Sequence, residues 1–177
     1  MFNNRTKKLE TERLVLRKFR VTDYFYMKKW YLSPYVCRYS QVATQKTKKD
    51  LIKFILSRIY RYIKNDNFYF WCMSLDGKPI GFIGFINMKK ENYYSFYYTV
   101  SEEFSSKGYT TEGVKKIIEY MKGEDAEYLY ASCDRENVAS QKVMEKSGLE
   151  FYFDVPGDFH YPDGRIGDRL VYRTKMK

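Results

Sequence analysis

Between residues 105 and 111 the chain reads Ser-Ser-Lys-Gly-Tyr-Thr-Thr, a polar turn leading into a segment where Val114, Ile117, Ile118 and Met121 recur at helical spacing. The first turn of a helix leaves about four amide N–H groups without partners and carries roughly half a positive charge. An anion placed there meets both hydrogen bonds and a favourable dipole. Gly108 admits close backbone approach, Lys107 adds a cation, Ser105, Ser106, Thr110 and Thr111 add hydroxyls, and Tyr109 stands at the helix entrance. On residue type alone the stretch is either a plain helix cap or a cradle for a diphosphate. It lacks the Walker A spacing and the Gly-x-Gly-x-x-Gly pattern, which turns the reading away from nucleotide hydrolysis and hydride transfer. A second helix start, Asn137-Val138-Ala139-Ser140, offers an N-cap amide and a nearby hydroxyl. His160 is the single histidine, and the three cysteines stand apart at positions 37, 72 and 133. Zinc and iron sites draw on several imidazoles or clustered thiolates, so metal-free chemistry is expected.

These residues need elements to hold them. Arg13–Arg17 alternates polar and apolar residues and predicts a first strand. Thr22 reads as the N-cap of a short helix running to about Tyr31 and stopped by Ser33-Pro34. Thr47 and Asp50 resemble a capping box for a longer helix, with Leu51, Ile55, Ile59 and Tyr62/Ile63 recurring at helical spacing up to Asn65-Asp66-Asn67. Lys48, Lys49, Lys53, Arg58 and Arg61 fall on its other face, as on any solvated helix. Phe68–Leu75 and Ile80–Asn87 flank Asp76-Gly77, a dipeptide suited to a tight hairpin, and Tyr93–Val100 completes a meander. Beyond the helix that Gly123 closes come a strand at Tyr128–Cys133, a helix between Asn137 and Gly148 with Val143 and Met144 inward, and two strands around Asp163-Gly164. The last pair lies near Phe151–Asp154 and Leu170–Thr174. This order predicts an α+β, three-layer domain with a mixed central sheet flanked by helices.

The 177 residues suit one domain, 1–177, without a repeat or a linker. The unpaired spacing of the cysteines predicts reduced thiols, and the start of the chain has no apolar leader, so a cytoplasmic protein with no membrane span is expected. The net charge of +10 is uneven: residues 1–66 hold 17 Lys and Arg against 5 Asp and Glu, and the remainder holds 15 against 17. All the excess cation lies in the first third.

The order of motifs resembles the GNAT acetyltransferases of the ribosomal-protein N-terminal (alanine/serine) acetyltransferase type. Leu9-Glu10-Thr11-Glu12-Arg13-Leu14-Val15-Leu16-Arg17 is similar to their opening, Gly77-Lys78-Pro79-Ile80-Gly81 to their second hairpin, and Lys107–Glu112 to their acetyl-CoA loop. Asn137–Ser140 with Glu145-Lys146-Ser147-Gly148-Leu149 resembles their last block, and Asp163-Gly164-Arg165 with Asp168 their closing hairpin. The resemblance implies a GNAT fold in which acetyl-CoA wedges between two splayed parallel strands, the fourth and fifth predicted, ending near Val100 and Cys133. Pantetheine would pair with backbone near Val100, and the diphosphate would sit on the amides from Ser106 through Thr110. Where the family has Gln or Arg this chain has Ser105, and where it has Gly or Ala this chain has Thr110.

Transfer from a thioester to an amine needs a neutral amine, donors for the developing oxyanion and a proton for the leaving thiolate. Many relatives supply that proton from a tyrosine whose place is taken by Met144. By resemblance Ser140, one turn earlier, takes the hydrogen-bonding role toward sulfur, and the Asn137 amide lies near the pantetheine arm. A glutamate common in the third meander strand falls at Ser95, so His160 is the candidate base, an imidazole pKa of about 6.5 being suited to that task.

The basic first third disfavours a polycationic acceptor and favours an acidic protein or a ribosomal surface, steered by Lys28, Lys29, Lys46, Lys48, Lys49 and Lys53. A protein N-terminus or a small amine would then attack directly in a ternary complex. Two other readings stay open: a basic, tyrosine-rich module binding RNA or the ribosome, and a catalytically silent acetyl-CoA-binding scaffold, given Ser95 and Met144. No strong nucleic-acid motif is present, and either a monomer or a homodimer is compatible with the sequence.

Overall fold

The computed structural model describes residues 5–41, 47–64, 69–88, 93–124 and 126–177. Lys46, Phe68 and the expected helix stop at 65–67 lie outside them. Strands β1 (Leu9–Glu10), β2 (Val15–Arg17), β3 (Tyr69–Leu75), β4 (Lys78–Met88), β5 (Tyr93–Val100), β6 (Tyr128–Asp134), β7 (Glu150–His160) and β8 (Ile166–Lys175) form one mixed sheet. Its order is β1-β2-β3-β4-β5-β6-β8-β7. Helices α1 (Tyr24–Met27), α2 (Pro34–Cys37) and α3 (Lys48–Lys64) belong to the first half, α4 (Tyr109–Met121) and α5 (Val138–Lys146) to the second.

Alternation along β3 shows why there are three layers. Tyr69, Trp71 and Met73 join a core with Val114, Ile117 and Met121 of α4 and Met144 of α5. Phe70 and Cys72 point the other way, against Met27 of α1 and Leu51 and Ile55 of α3. A strand buried on both faces reads as an unbroken apolar run, as Tyr69–Met73 does. The Asp76-Gly77 turn takes positive φ at both residues, 48° and 78°, matching the hairpin expected there. Thr47 and Asp50 form the capping box as written: the Thr47 amide and hydroxyl each donate to Asp50 Oδ2 at 2.8 Å, and the Asp50 amide donates to Thr47 Oγ1.

The first half differs from the sequence reading in four places. The strand expected over 13–17 is the short β2, with β1 an additional edge strand, because the Thr11 amide bonds the Leu14 carbonyl and its hydroxyl accepts the Leu14 amide. The helix expected from Thr22 to Tyr31 is a 3-10 turn at Val21–Asp23 followed by the short α1. Its cap is Arg20, whose amide is held by the Asp23 carboxylate at 2.8 Å. Pro34 starts a helix instead of only stopping one, since the first helical position needs no N–H donor. Arg58 is also not on the solvated face of α3: its guanidinium lies over the rings of Phe54 and Phe70, at 4.0 and 4.9 Å.

Asp23 also receives two hydrogen bonds from Arg17 of β2, at 2.8 and 2.9 Å, and both residues are buried. Asp23→Ala would leave that guanidinium buried without its counter-charge, a loss of about 3–5 kcal/mol. Thermal unfolding should fall by on the order of 10 °C; an unchanged midpoint would show that water replaces the carboxylate without cost.

Candidate active site

Strands β5 and β6 are parallel and pair only at Tyr93↔Tyr128, Tyr94↔Leu129 and Ser95↔Tyr130. Beyond that point β5 stays bonded to β4 as far as Val100, and β6 stays bonded to β8 as far as Asp134. The two strands therefore diverge, leaving the main chain along 96–100 and 131–134 facing a wedge. Because the strands are parallel, the helices that follow them, α4 and α5, both begin at the open end. The extra edge strand makes these the fifth and sixth strands, not the fourth and fifth.

The loop between β5 and α4 is shaped at two residues. Ser106 and Gly108 have φ of 58° and 83°, a left-handed conformation that wraps successive N–H groups around a concavity. Among the described residues, no protein acceptor meets the amides of Ser106, Lys107, Gly108, Tyr109, Thr110 or Thr111; the next amide, Glu112, bonds the Gly108 carbonyl. Ser106, Lys107 and Gly108 are exposed, whereas Thr110 is buried. Ser105 stands apart from this row: its amide bonds the Glu102 carbonyl and its hydroxyl accepts from Tyr35 at 2.6 Å.

A clamp from the far edge of the sheet holds the loop. Arg13 donates to Glu112 through its main-chain amide and Nε at 2.9 and 2.7 Å and to the Lys107 carbonyl at 3.2 Å, and its guanidinium lies 4.4 Å from the Tyr109 ring centre. Burial pushes the Glu112 carboxyl up, but hydrogen bonds from Thr11 and Arg13 outweigh it and hold the group below the usual carboxylate range. Its negative charge is thus neutralised beside the row of amides. Gly113 sets α4 close on the sheet, where a Cβ would lie 3.1 Å from Ile83 and 3.3 Å from the Met73 sulfur.

On the β6 side, the Asn137 side chain caps α5 by accepting the Ser140 amide at 3.2 Å, as expected. The helix closes with Gly148 at φ 89°, the Gly148 amide reaching Glu145 and the Leu149 amide reaching Met144. Ser140 Oγ lies 2.6 Å from the Tyr98 phenol oxygen of β5, so one hydroxyl pair bridges the wedge. Burial pushes the Cys133 thiol up to about 12, with Asp134 adding to the shift and Ser140 opposing it. A thiol held neutral is a poor nucleophile, which argues against an acetyl-cysteine intermediate.

Across the opening, the Tyr35 hydroxyl reaches Ser105 and the Tyr39 hydroxyl donates to the Glu136 carbonyl at 3.3 Å. The segment carrying α2 therefore spans from one arm of the wedge to the other. Tyr161 donates to Asp134 Oδ2 at 2.7 Å and anchors the β7–β8 hairpin at the tip of β6. His160, the preceding residue, is exposed and lies on the opposite side of the chain from buried Phe159 and Tyr161. An open cleft of about 450 Å³ adjoins the loop on its α1 side, among Trp30, Pro79 and Glu102–Phe104. It contains none of residues 105–111, so the row of amides and this cleft are separate features.

The structure thus brings Val100, the 106–111 amides, Asn137 and Ser140 to one opening. Sequence reading missed Arg13, Tyr98 and Tyr161. Signals existed for Tyr98, which alternates in register with Phe96 and Val100, and for Arg13, which with its partner Glu112 falls in blocks that resemble the family's opening and acetyl-CoA loop.

A family model described as an acetyltransferase (GNAT) domain matches residues 13–150. The chain belongs to the GNAT acetyltransferase family. It is 26% identical over 144 residues to the uncharacterized N-acetyltransferase YnaD of Bacillus subtilis, covering 80% of this chain and 81% of that one. Its fold is that of a GNAT-family acetyltransferase from Bacillus anthracis, with a TM-score of 0.81, 22% identity and coverage of 96% and 99%. It also matches a Salmonella typhimurium acetyl transferase that modifies the N-terminal serine of 50S ribosomal subunit protein L7/L12. That match has a TM-score of 0.81, 13% identity and coverage of 97% and 100%. This GNAT protein is an acetyl-CoA-dependent acyltransferase. Among the described residues no group of three or more His, Cys, Asp or Glu could hold a metal, and no helix is long and apolar enough to cross a membrane.

Proposed function

We propose that this acetyltransferase moves the acetyl group of acetyl-CoA to a primary amine, foremost the N-terminus of an acidic protein, by direct attack in a ternary complex. The row of six amides without protein acceptors, set at the open end of a parallel wedge, carries the reading. Those amides and Lys107 hold the diphosphate, and the exposed edge near Val100 pairs with pantetheine. The thioester then points toward α5, with the Asn137 amide beside the arm. Ser140 donates a hydrogen bond to the sulfur as negative charge develops there. His160 is exposed on the side of the hairpin away from Tyr161 and its bond to Asp134, so the proton that the amine loses passes to water.

The acceptor assignment rests on charge and on the ribosomal-protein activity named for the Salmonella typhimurium protein. Lys28, Lys29, Lys48, Lys49 and Lys53 are all exposed on α3 and beside α1. A cationic face speeds encounter with acidic partners and loses that effect as salt screens it. With free-thiol release as the readout, kcat/KM for an acidic peptide acceptor should fall about tenfold or more from low to high ionic strength. The value for an uncharged amine should hold steady; a flat response for both would remove steering from the account.

A further inference from the structure

A serine hydroxyl is a rotor whose hydrogen can point in several directions, and only one of them serves a sulfur in the wedge. We infer that Tyr98 is the positioning residue that turns the Ser140 hydrogen toward the leaving sulfur, an inference that rests on the acetyl-transfer reading above.

Tyr98 stands three residues beyond Ser95, the last β5 residue paired with β6, and therefore in the diverging part of the strand. It shares the α4- and α5-facing side of β5 with Phe96 and Val100. Its phenol oxygen lies 2.6 Å from Ser140 Oγ and 3.2 Å from the Ser140 carbonyl. A phenol has one hydrogen to give, so two arrangements exist. When it goes to the carbonyl, the short contact is made by the serine hydrogen, which then points at Tyr98 and away from the wedge. When it goes to Ser140 Oγ, the serine hydrogen is released from Tyr98 and can turn from the neighbouring Cys133 sulfur to the leaving sulfur. Charge growing on sulfur selects the second arrangement, because that one alone aims a donor at the charge.

The surroundings support this division of labour. Burial pushes the Tyr98 phenol well above its ordinary range, against the opposing bond to Ser140, so it keeps its hydrogen at neutral pH. Met144, one turn further along α5, is fully buried and offers no hydroxyl. In the transfer itself the amine lone pair forms the C–N bond, the C–S bond breaks, and its electron pair stays on sulfur. The amine gives up one proton to water, and the thiolate takes one up on release. Ser140 and Tyr98 stabilise the charge between those events and end the cycle with the hydrogens they began with.

Tyr98→Phe removes one oxygen and keeps the ring that packs against the core. It should lower kcat about 10- to 100-fold, the size of one hydrogen bond to a charged group, with the acetyl-CoA Kd changed less than about twofold. Combined with Ser140→Ala it should be no slower than Ser140→Ala alone, because the phenol acts only through the serine. A Tyr98→Phe enzyme with wild-type kcat, or losses that multiply in the double variant, would overturn the inference. Wild-type protein that binds acetyl-CoA yet releases no thiol with any acceptor would instead overturn acetyl transfer, and this inference with it.

Discussion

Gly108→Asp is expected to abolish acetyl-CoA binding, weakening the calorimetric Kd by more than about 100-fold, since like charges brought together cost several kcal/mol. Space is not the reason. A Cβ at this position would lie 3.4 Å from the Arg13 guanidinium, an ordinary contact. The φ of 83° is left-handed, a region that Asp and Asn tolerate better than other side chains, so strain is limited to about 1–2 kcal/mol. What remains is a carboxylate set in the middle of the amide row, facing the phosphates and close enough to Arg13 to loosen its hold on Glu112. Gly108→Asn carries the same shape and strain without the charge, and should keep affinity within about tenfold of wild type. Equal loss in the two variants would mean that the loop fails by geometry and that the phosphates are held elsewhere.

Ser140→Ala is expected to slow turnover about 10- to 150-fold while leaving acetyl-CoA affinity nearly intact, in line with losing one hydrogen bond to a developing thiolate. The helix cap survives the change, because Asn137 accepts the main-chain amide of residue 140 and not its hydroxyl. Tyr98 keeps the carbonyl of residue 140 as an acceptor at 3.2 Å, so no buried donor is orphaned. Steady-state kinetics beside calorimetry separate the two quantities. A fall in affinity as large as the fall in kcat would show that Ser140 only shapes the pocket.

What could be read from the chain beforehand was whatever a short stretch of residues decides for itself. The Asp76-Gly77 turn, the Thr47–Asp50 box and the Asn137 and Gly148 ends of α5 each depend on dihedral preference and side-chain reach within a few residues. The turn near Thr22 starts elsewhere because the Asp23 carboxylate reaches back to the Arg20 amide and to Arg17 of β2, six residues earlier, which outweighs the appeal of Thr22 as a cap. Arg13 looked like an ordinary strand residue, yet its partner Glu112 lies 99 positions away in sequence. Tyr98 and Ser140 are separated by 42 positions and meet only because β5 and β6 part after Ser95. Periodicity placed the strands but carried no information on where pairing between them would stop. The anion loop was visible as residue types; that its amides lack protein acceptors could be learned only from the fold.

A crystal structure of the acetyl-CoA complex tests the central claim most directly. The account predicts diphosphate oxygens within about 3.2 Å of the amide nitrogens of residues 106–110, with pantetheine along the β5 edge and sulfur beside Ser140. Phosphates bound on the lysines of α3, with those amides turned to acceptors within the protein, would contradict it.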